Sequence, residues 1–119
     1  AKEYFAKKRG NLKKKTNQKR AVMTFNEIIQ QDKPVLVDFY ADWCAPCRTQ
    51  APILKQVKDQ LGETVSIIKI NVDKNPSAAQ TYQVSGIPTL ILFKKGKQVW
   101  RQSGVVQAGM LTQVIKNNS

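Results

Sequence analysis

The apolar positions of this chain change period along its length, and the changes mark out its elements. In "TFNEII", Phe25, Ile28 and Ile29 fall on one helical face. Thr24 and Glu27 stand at capping-box spacing, with Met23 placed to staple onto Ile28. Asp32-Lys33-Pro34 ends that helix, because proline lacks a donor and restrains the residue before it. "VLVDFYA" (35–41) is near-continuously apolar, the mark of a strand buried on both faces. From Cys44 to about Leu61 the helical period returns, with Cys47, Ala51, Leu54, Val57 and Leu61 at steps of three and four. Pro52 lies inside this helix and should kink it. "VSIIKINVD" (65–73) reads as a second buried strand. Asn75-Pro76 supplies a cap and a first position for a short helix to about Tyr82. "TLILFKKGKQVWRQS" reads as two strands joined at Lys95-Gly96, and Val106, Met110, Leu111, Val114 and Ile115 form one face of a closing helix.

The resulting order, α β α β α β β α, implies right-handed crossovers and a parallel core, to which the closing hairpin adds an antiparallel edge. The expected class is α/β, a mixed sheet with helices on both faces. A weak additional strand is expected at about Arg20–Met23.

Length and composition fit one ordinary domain: 119 residues, 41% of them hydrophobic, build a core without disulfide staples. Charge changes the picture at one end. Residues 1–20 hold nine lysines and arginines against the single acid Glu3, a net +8 of the chain's +12. We therefore expect a loosely ordered basic arm over 1–20, with a short helix around Glu3 to Arg9, and a folded domain over 21–119. The arm reads either as a solvated extension or as an electrostatic anchor for an anionic partner such as nucleic acid, anionic lipid or an acidic protein. No run approaches the roughly 18 apolar residues of a membrane span, and no apolar leader core is visible. The expectation is a cytoplasmic monomer, or a periplasmic or secreted protein if a leader has been removed.

The residue types narrow the chemistry. With no histidine, a serine–histidine or cysteine–histidine pair is excluded. Two cysteines fall short of the four ligands of a structural zinc site, so no metal is expected. Both cysteines, Cys44 and Cys47, fall in "DWCAPCR", where a strand gives way to a helix. At that spacing their Cα atoms would stand about 5–5.5 Å apart, within disulfide reach. A cysteine at a helix start has its thiolate stabilised by free N–H groups and the helix dipole. Geometry therefore assigns Cys44 as nucleophile and Cys47, one turn in and shielded, as the resolving sulfur. The competing readings are a structural disulfide, which at this loop length stabilises little, or two packed thiols.

Asp38 breaks an apolar strand, where an unpaired carboxylate costs several kcal/mol. It reads as a structural hydrogen-bonding residue or as a carboxyl of raised pKa that takes the proton of Cys47. Lys69 interrupts "IIKIN" in the same way; it either pairs with Asp38 across neighbouring strands or snorkels to the surface. Pro88 opens the strand after "SGI", with a cis or a trans bond before it.

These residues resemble the thioredoxin family. "VDFYADWCAPCR", Pro52, "KINVD", "SGIPTLILF" and the glycine of "QSGVV" stand in the family's order and spacing over about Thr24 to Lys116. The resemblance implies the thioredoxin fold and dithiol–disulfide oxidoreductase activity. It implies a buried base at Asp38 tuned by Lys69, and a cis bond before Pro88. It further implies a flat apolar docking surface made by Trp43, Ala45, Pro46, Gly86, Ile87 and Gly104, with Ile87 offering backbone hydrogen bonds to an extended substrate. No cofactor beyond the Cys44–Cys47 pair is implied. The implied partners are protein disulfides and a thioredoxin reductase, flavin-dependent, as electron donor. Ala45 departs from the family's usual glycine and Tyr40 from a frequent tryptophan. The alternative is a binding module that uses the same surface and the basic arm to hold a partner without turnover.

Overall fold

A computed structural model describes residues 2–4 and 24–119. Among the described residues five strands form one sheet: β1 (Lys2–Tyr4), β2 (Val35–Tyr40), β3 (Ser66–Asn71), β4 (Thr89–Lys94) and β5 (Lys97–Ser103), in the order β1-β3-β2-β4-β5. β1 and β2 run parallel to β3, whereas β4 is antiparallel to β2 and to β5. The mixed sheet is as expected, but the hairpin is more than an edge, because β4 lies inside the sheet and is almost wholly buried. β1 corrects the helix expected around Glu3 to Arg9 at its first two positions, since Glu3 and Tyr4 pair with Lys69 and Ile70. The rest of that helix, the Arg20–Met23 strand, the Met23 staple and the body of the basic arm lie outside the described residues.

The helices are α1 (Phe25–Ile29), α2 (Ala45–Leu61), α3 (Pro76–Thr81) and α4 (Ala108–Asn117). Strand alternation sends their contacts to opposite faces. Leu36, Ile67, Leu90 and Leu92 pack with Leu54 and Val57 of α2 and with Leu111 and Ile115 of α4. Val35, Val37, Phe39, Ile68, Ile70, Ile91 and Phe93 pack with Phe25 and Ile29 of α1 and with Ala78 of α3. Met110, assigned to the inner face of α4, is 49% exposed. The buried stripe runs through Leu111 and Ile115, and its neighbour in sequence is turned about 100° away.

Local chemistry explains several boundaries. The Thr24 side chain accepts from the Glu27 N–H at 3.2 Å, and the Thr24 N–H donates to the Glu27 carboxylate at 2.8 Å, completing the box. Thr24→Ala should lower stability by about 1 kcal/mol, read as a smaller urea midpoint at unchanged slope. In the hairpin turn both central residues, Lys95 and Gly96, have positive φ, at 52° and 84°, the pattern that matches strand twist in two-residue loops. Gly96, at φ 84°, holds a backbone conformation that strains any residue with a Cβ, so glycine is favoured there. A register shift between Leu92 and Phe93 leaves Val99 without a partner residue on β4 and exposed. Among the described residues no helix is long and apolar enough to cross a membrane.

Candidate active site

The first turn of α2 builds the site. Cys44 is its N-cap residue in an extended conformation, and the Cys47 N–H donates to Cys44 Sγ at 3.1 Å. A sulfur thus occupies the place where a serine or aspartate oxygen would satisfy an orphan helix donor. Pro46 sits in the first turn, where its missing N–H removes nothing the helix uses. Cys44 and Cys47 are joined as a disulfide, their Cα atoms 5.2 Å apart. Burial does not separate their roles as expected: Cys44 is 3% and Cys47 4% exposed in this oxidised form. The asymmetry lies in the hydrogen bonding, for it is Cys44 Sγ that receives the helix N–H. A backbone donor and a helix N-terminus at this place favour negative charge over neutral.

The loop before α2 is held from both ends. The Arg48 guanidinium donates to the Asp42 carbonyl at 2.8 Å, and the Trp43 indole N–H donates to the Asp73 carboxylate at 2.8 Å. Asp73 is placed by Asn71, which accepts from the Asp73 and Lys74 N–H groups at 2.9 and 3.2 Å. Trp43 is nevertheless 68% exposed, so the indole is fixed in place with its rings in solvent.

Asp38 is fully buried in the middle of β2, and neither carboxylate oxygen has a hydrogen-bond partner among the described residues. Among the described residues nothing supports the reading of a structural hydrogen-bonding residue. Burial pushes the Asp38 carboxyl up to about 7, and the charge of Lys69 acts in the opposite direction. Lys69 is the register partner of Asp38 on β3, as expected of neighbouring strands. The two do not form an ion pair; the Lys69 ammonium lies over the Tyr40 ring at 4.4 Å from its centroid. It therefore acts on Asp38 through space, with its own solvation met by the ring and partial exposure.

The Ile87–Pro88 bond is cis. Ile87 packs onto the cluster of Tyr40, Ala41, Cys44 and Cys47, which brings this turn to the disulfide. The Gly104 N–H donates to the Pro88 carbonyl at 2.8 Å. Ala45, Pro46, Gly86 and Gly104 are exposed, and Ile87 is half-buried.

The residues matched to the Thioredoxin family model are 15–117. The chain belongs to the thioredoxin family. It is 51% identical over 84 residues to a thioredoxin-like protein of Synechocystis sp., covering 71% of this chain and 80% of that one. It is 41% identical over 92 residues to the thioredoxin of Rickettsia bellii, covering 77% of this chain and 88% of that one. Among solved structures, oxidised mitochondrial thioredoxin 3 of Saccharomyces cerevisiae superposes with a TM-score of 0.71 at 31% identity, over 78% of this chain and 86% of that chain. Thioredoxins are thiol–disulfide oxidoreductases, and in this chain the Cys44–Cys47 pair carries that chemistry. The pair is itself the redox group.

Two residues that shape the site escaped the sequence reading. Thr89 is fully buried, and its hydroxyl donates to the Gly86 carbonyl at 2.5 Å and shares a hydrogen bond with Ser103 Oγ at 2.9 Å. Gln50 is fully buried on α2. The inward stripe of that helix runs Cys47, Gln50, Leu54, Val57, whereas the sequence reading passed through Ala51, which is only half-buried. A glutamine where the period asks for an apolar residue was the available signal.

Proposed function

We propose that this thioredoxin works as a reductant of protein disulfides. The Cys44 thiolate attacks a substrate disulfide, forming a mixed disulfide and releasing one substrate thiolate. The Cys47 thiol then gives its proton to the Asp38 carboxylate and attacks Cys44 Sγ. The second substrate thiolate leaves, and the chain is left with the Cys44–Cys47 bond seen here. Two electrons have passed to the substrate, and a flavin-dependent dithiol reductase restores the pair. Lys69 tunes Asp38 by charge. Trp43, Ala45, Pro46, Gly86, Ile87 and Gly104 receive the extended segment that carries the substrate disulfide.

The observation that carries this reading is the Cys47 N–H bonded to Cys44 Sγ at the start of α2. It supports Cys44 as the sulfur that ionises first, and hence as the one that attacks. The Asp38 carboxyl, pushed to about 7, supports a base that is present in useful amount at neutral pH and accepts a proton without a large penalty. The direction of electron flow follows from the residues between the sulfurs. Ala45 and Pro46 bring no positive charge, and a cation there would stabilise the reduced thiolate and make the pair an oxidant. The expected reduction potential therefore lies toward the about −270 mV characteristic of thioredoxin itself rather than the roughly −120 mV of a strong oxidant. Equilibration with a glutathione or dithiothreitol redox series reads it directly, and a value near the oxidant end would overturn the assignment as a reductant.

A further inference from the structure

Three segments carry the docking surface proposed above: the start of α2, the turn before β4, and residues 104–107 between β5 and α4. The second and third are joined by the Gly104 N–H on the Pro88 carbonyl at 2.8 Å, and by the Thr89 hydroxyl between Gly86 and Ser103. Gln50 supplies a link to α2. Its amide donates to the Val106 carbonyl at 2.9 Å, and its carbonyl accepts from the Val106 N–H at 2.8 Å. One carboxamide thus answers both backbone groups of one residue 56 positions away, as a neighbouring strand would. The paired bonds fix orientation as well as distance.

The surroundings sharpen the point. Val106 is itself buried, and its side chain sits in the apolar cluster with Leu54, Val57 and Leu111. An apolar residue at position 50 would suit that cluster, and it would not have to surrender the hydration of an amide. It would leave the Val106 N–H and carbonyl buried without partners, and segment 104–107 would have to move outward to hydrate them.

We propose that Gln50 is a positioning residue for substrate docking: it sets how far and at what angle the Gly104–Gln107 segment stands from the helix that carries the cysteines. This rests on the docking role proposed for Gly104, which opens that segment. Gln50 touches neither sulfur nor substrate; it acts through Val106.

The test compares two substrates on the full chain. Insulin is large enough to lie across the surface, whereas dithiobis(nitrobenzoate) reaches little beyond the sulfurs. For Gln50→Leu the KM for insulin should rise about tenfold, with a far smaller change in kcat and in the rate with the small disulfide. Gln50→Glu should show a pH profile. Protonated, the carboxyl donates and accepts as the amide does and matches the unaltered chain; ionised, it loses its donor and repels the Val106 carbonyl. Its insulin KM, taken relative to the unaltered chain at each pH, should therefore climb between about pH 6 and 8.5. This variant also serves if Gln50→Leu does not fold. Equal losses on both substrates, or a Gln50→Glu profile that is flat, would make Gln50 merely structural and overturn the proposal. Trp43→Ala, run alongside, separates the two layers of the argument. If it raises the insulin KM while folded Gln50→Leu does not, the positioning role alone fails. If neither variant changes it, the docking reading fails with it.

Discussion

Cys44→Ser loses insulin-disulfide reduction by about a thousandfold or more, while Cys47→Ser keeps its first attack and stops at the mixed disulfide. The two outcomes differ because the two sulfurs, though equally covered in the oxidised form, are placed differently at the helix start: the Cys47 N–H donates to Cys44 Sγ. On the proposed mechanism Cys44 Sγ, which takes the helix N–H, supplies the thiolate; a serine hydroxyl there stays protonated near neutral pH and is a poor nucleophile toward sulfur. Cys47 acts only on a bond that Cys44 has already made. Without it the captured substrate has no internal route of release and accumulates as a covalent adduct. Non-reducing electrophoresis after exposure to an oxidised protein substrate reads the adduct, and turbidity in the insulin assay reads turnover. Adduct on Cys44→Ser instead of Cys47→Ser would reverse the assigned roles.

Asp38→Asn should stabilise the oxidised protein by on the order of 4 kcal/mol at pH 8 and by almost nothing at pH 4. The sign follows from where the proton sits. In the unfolded chain an aspartate titrates near 3.9 or so, whereas in the folded chain Asp38 does so at about 7. Between those values the folded state holds a proton that the unfolded state has lost, so stability falls as pH rises through the window. At pH 4 the acid is still protonated when folded and resembles asparagine. At pH 8 it is an ionised group with no hydrogen bond and no ion pair among the described residues, and the amide is free of that penalty. Urea midpoints at the two pH values check the claim, and equal stability at pH 8 would show that the charge is solvated in a way the described contacts do not provide. The same variant should reduce insulin about tenfold or more slowly at pH 7, because Cys47 loses its proton acceptor. Stability gained with activity lost is the signature of a charge held in the core for chemistry.

The hydrophobic pattern reached far into this fold because period and punctuation agree. The capping box at Thr24, the buried run 35–41, the helix start at Asn75-Pro76 and the turn at Lys95-Gly96 all stand where local sequence placed them. The errors share a cause. Glu3 and Tyr4 join a strand because β3 offers an unpaired edge, and no property of a short basic segment announces a neighbour that arrives more than 60 residues later. Met110 was set inward, and Ala51 was taken in place of Gln50, because steps of three and four admit two stripes and only the sheet beneath selects one of them.

The site divides along the same line. Sequence by itself determined the chemistry: which sulfurs, at what spacing, at which end of a helix, and a carboxylate in an apolar strand. Such facts are local, and the peptide geometry that makes them meaningful spans a few residues. The tertiary structure decided that Lys69 acts on Asp38 without pairing to it, that Asp73 holds the Trp43 indole, and that Gln50 ties α2 to Val106. Each of these joins side chains to groups roughly 30 or more positions away, and such contacts exist only once the sheet has set its strand order and register.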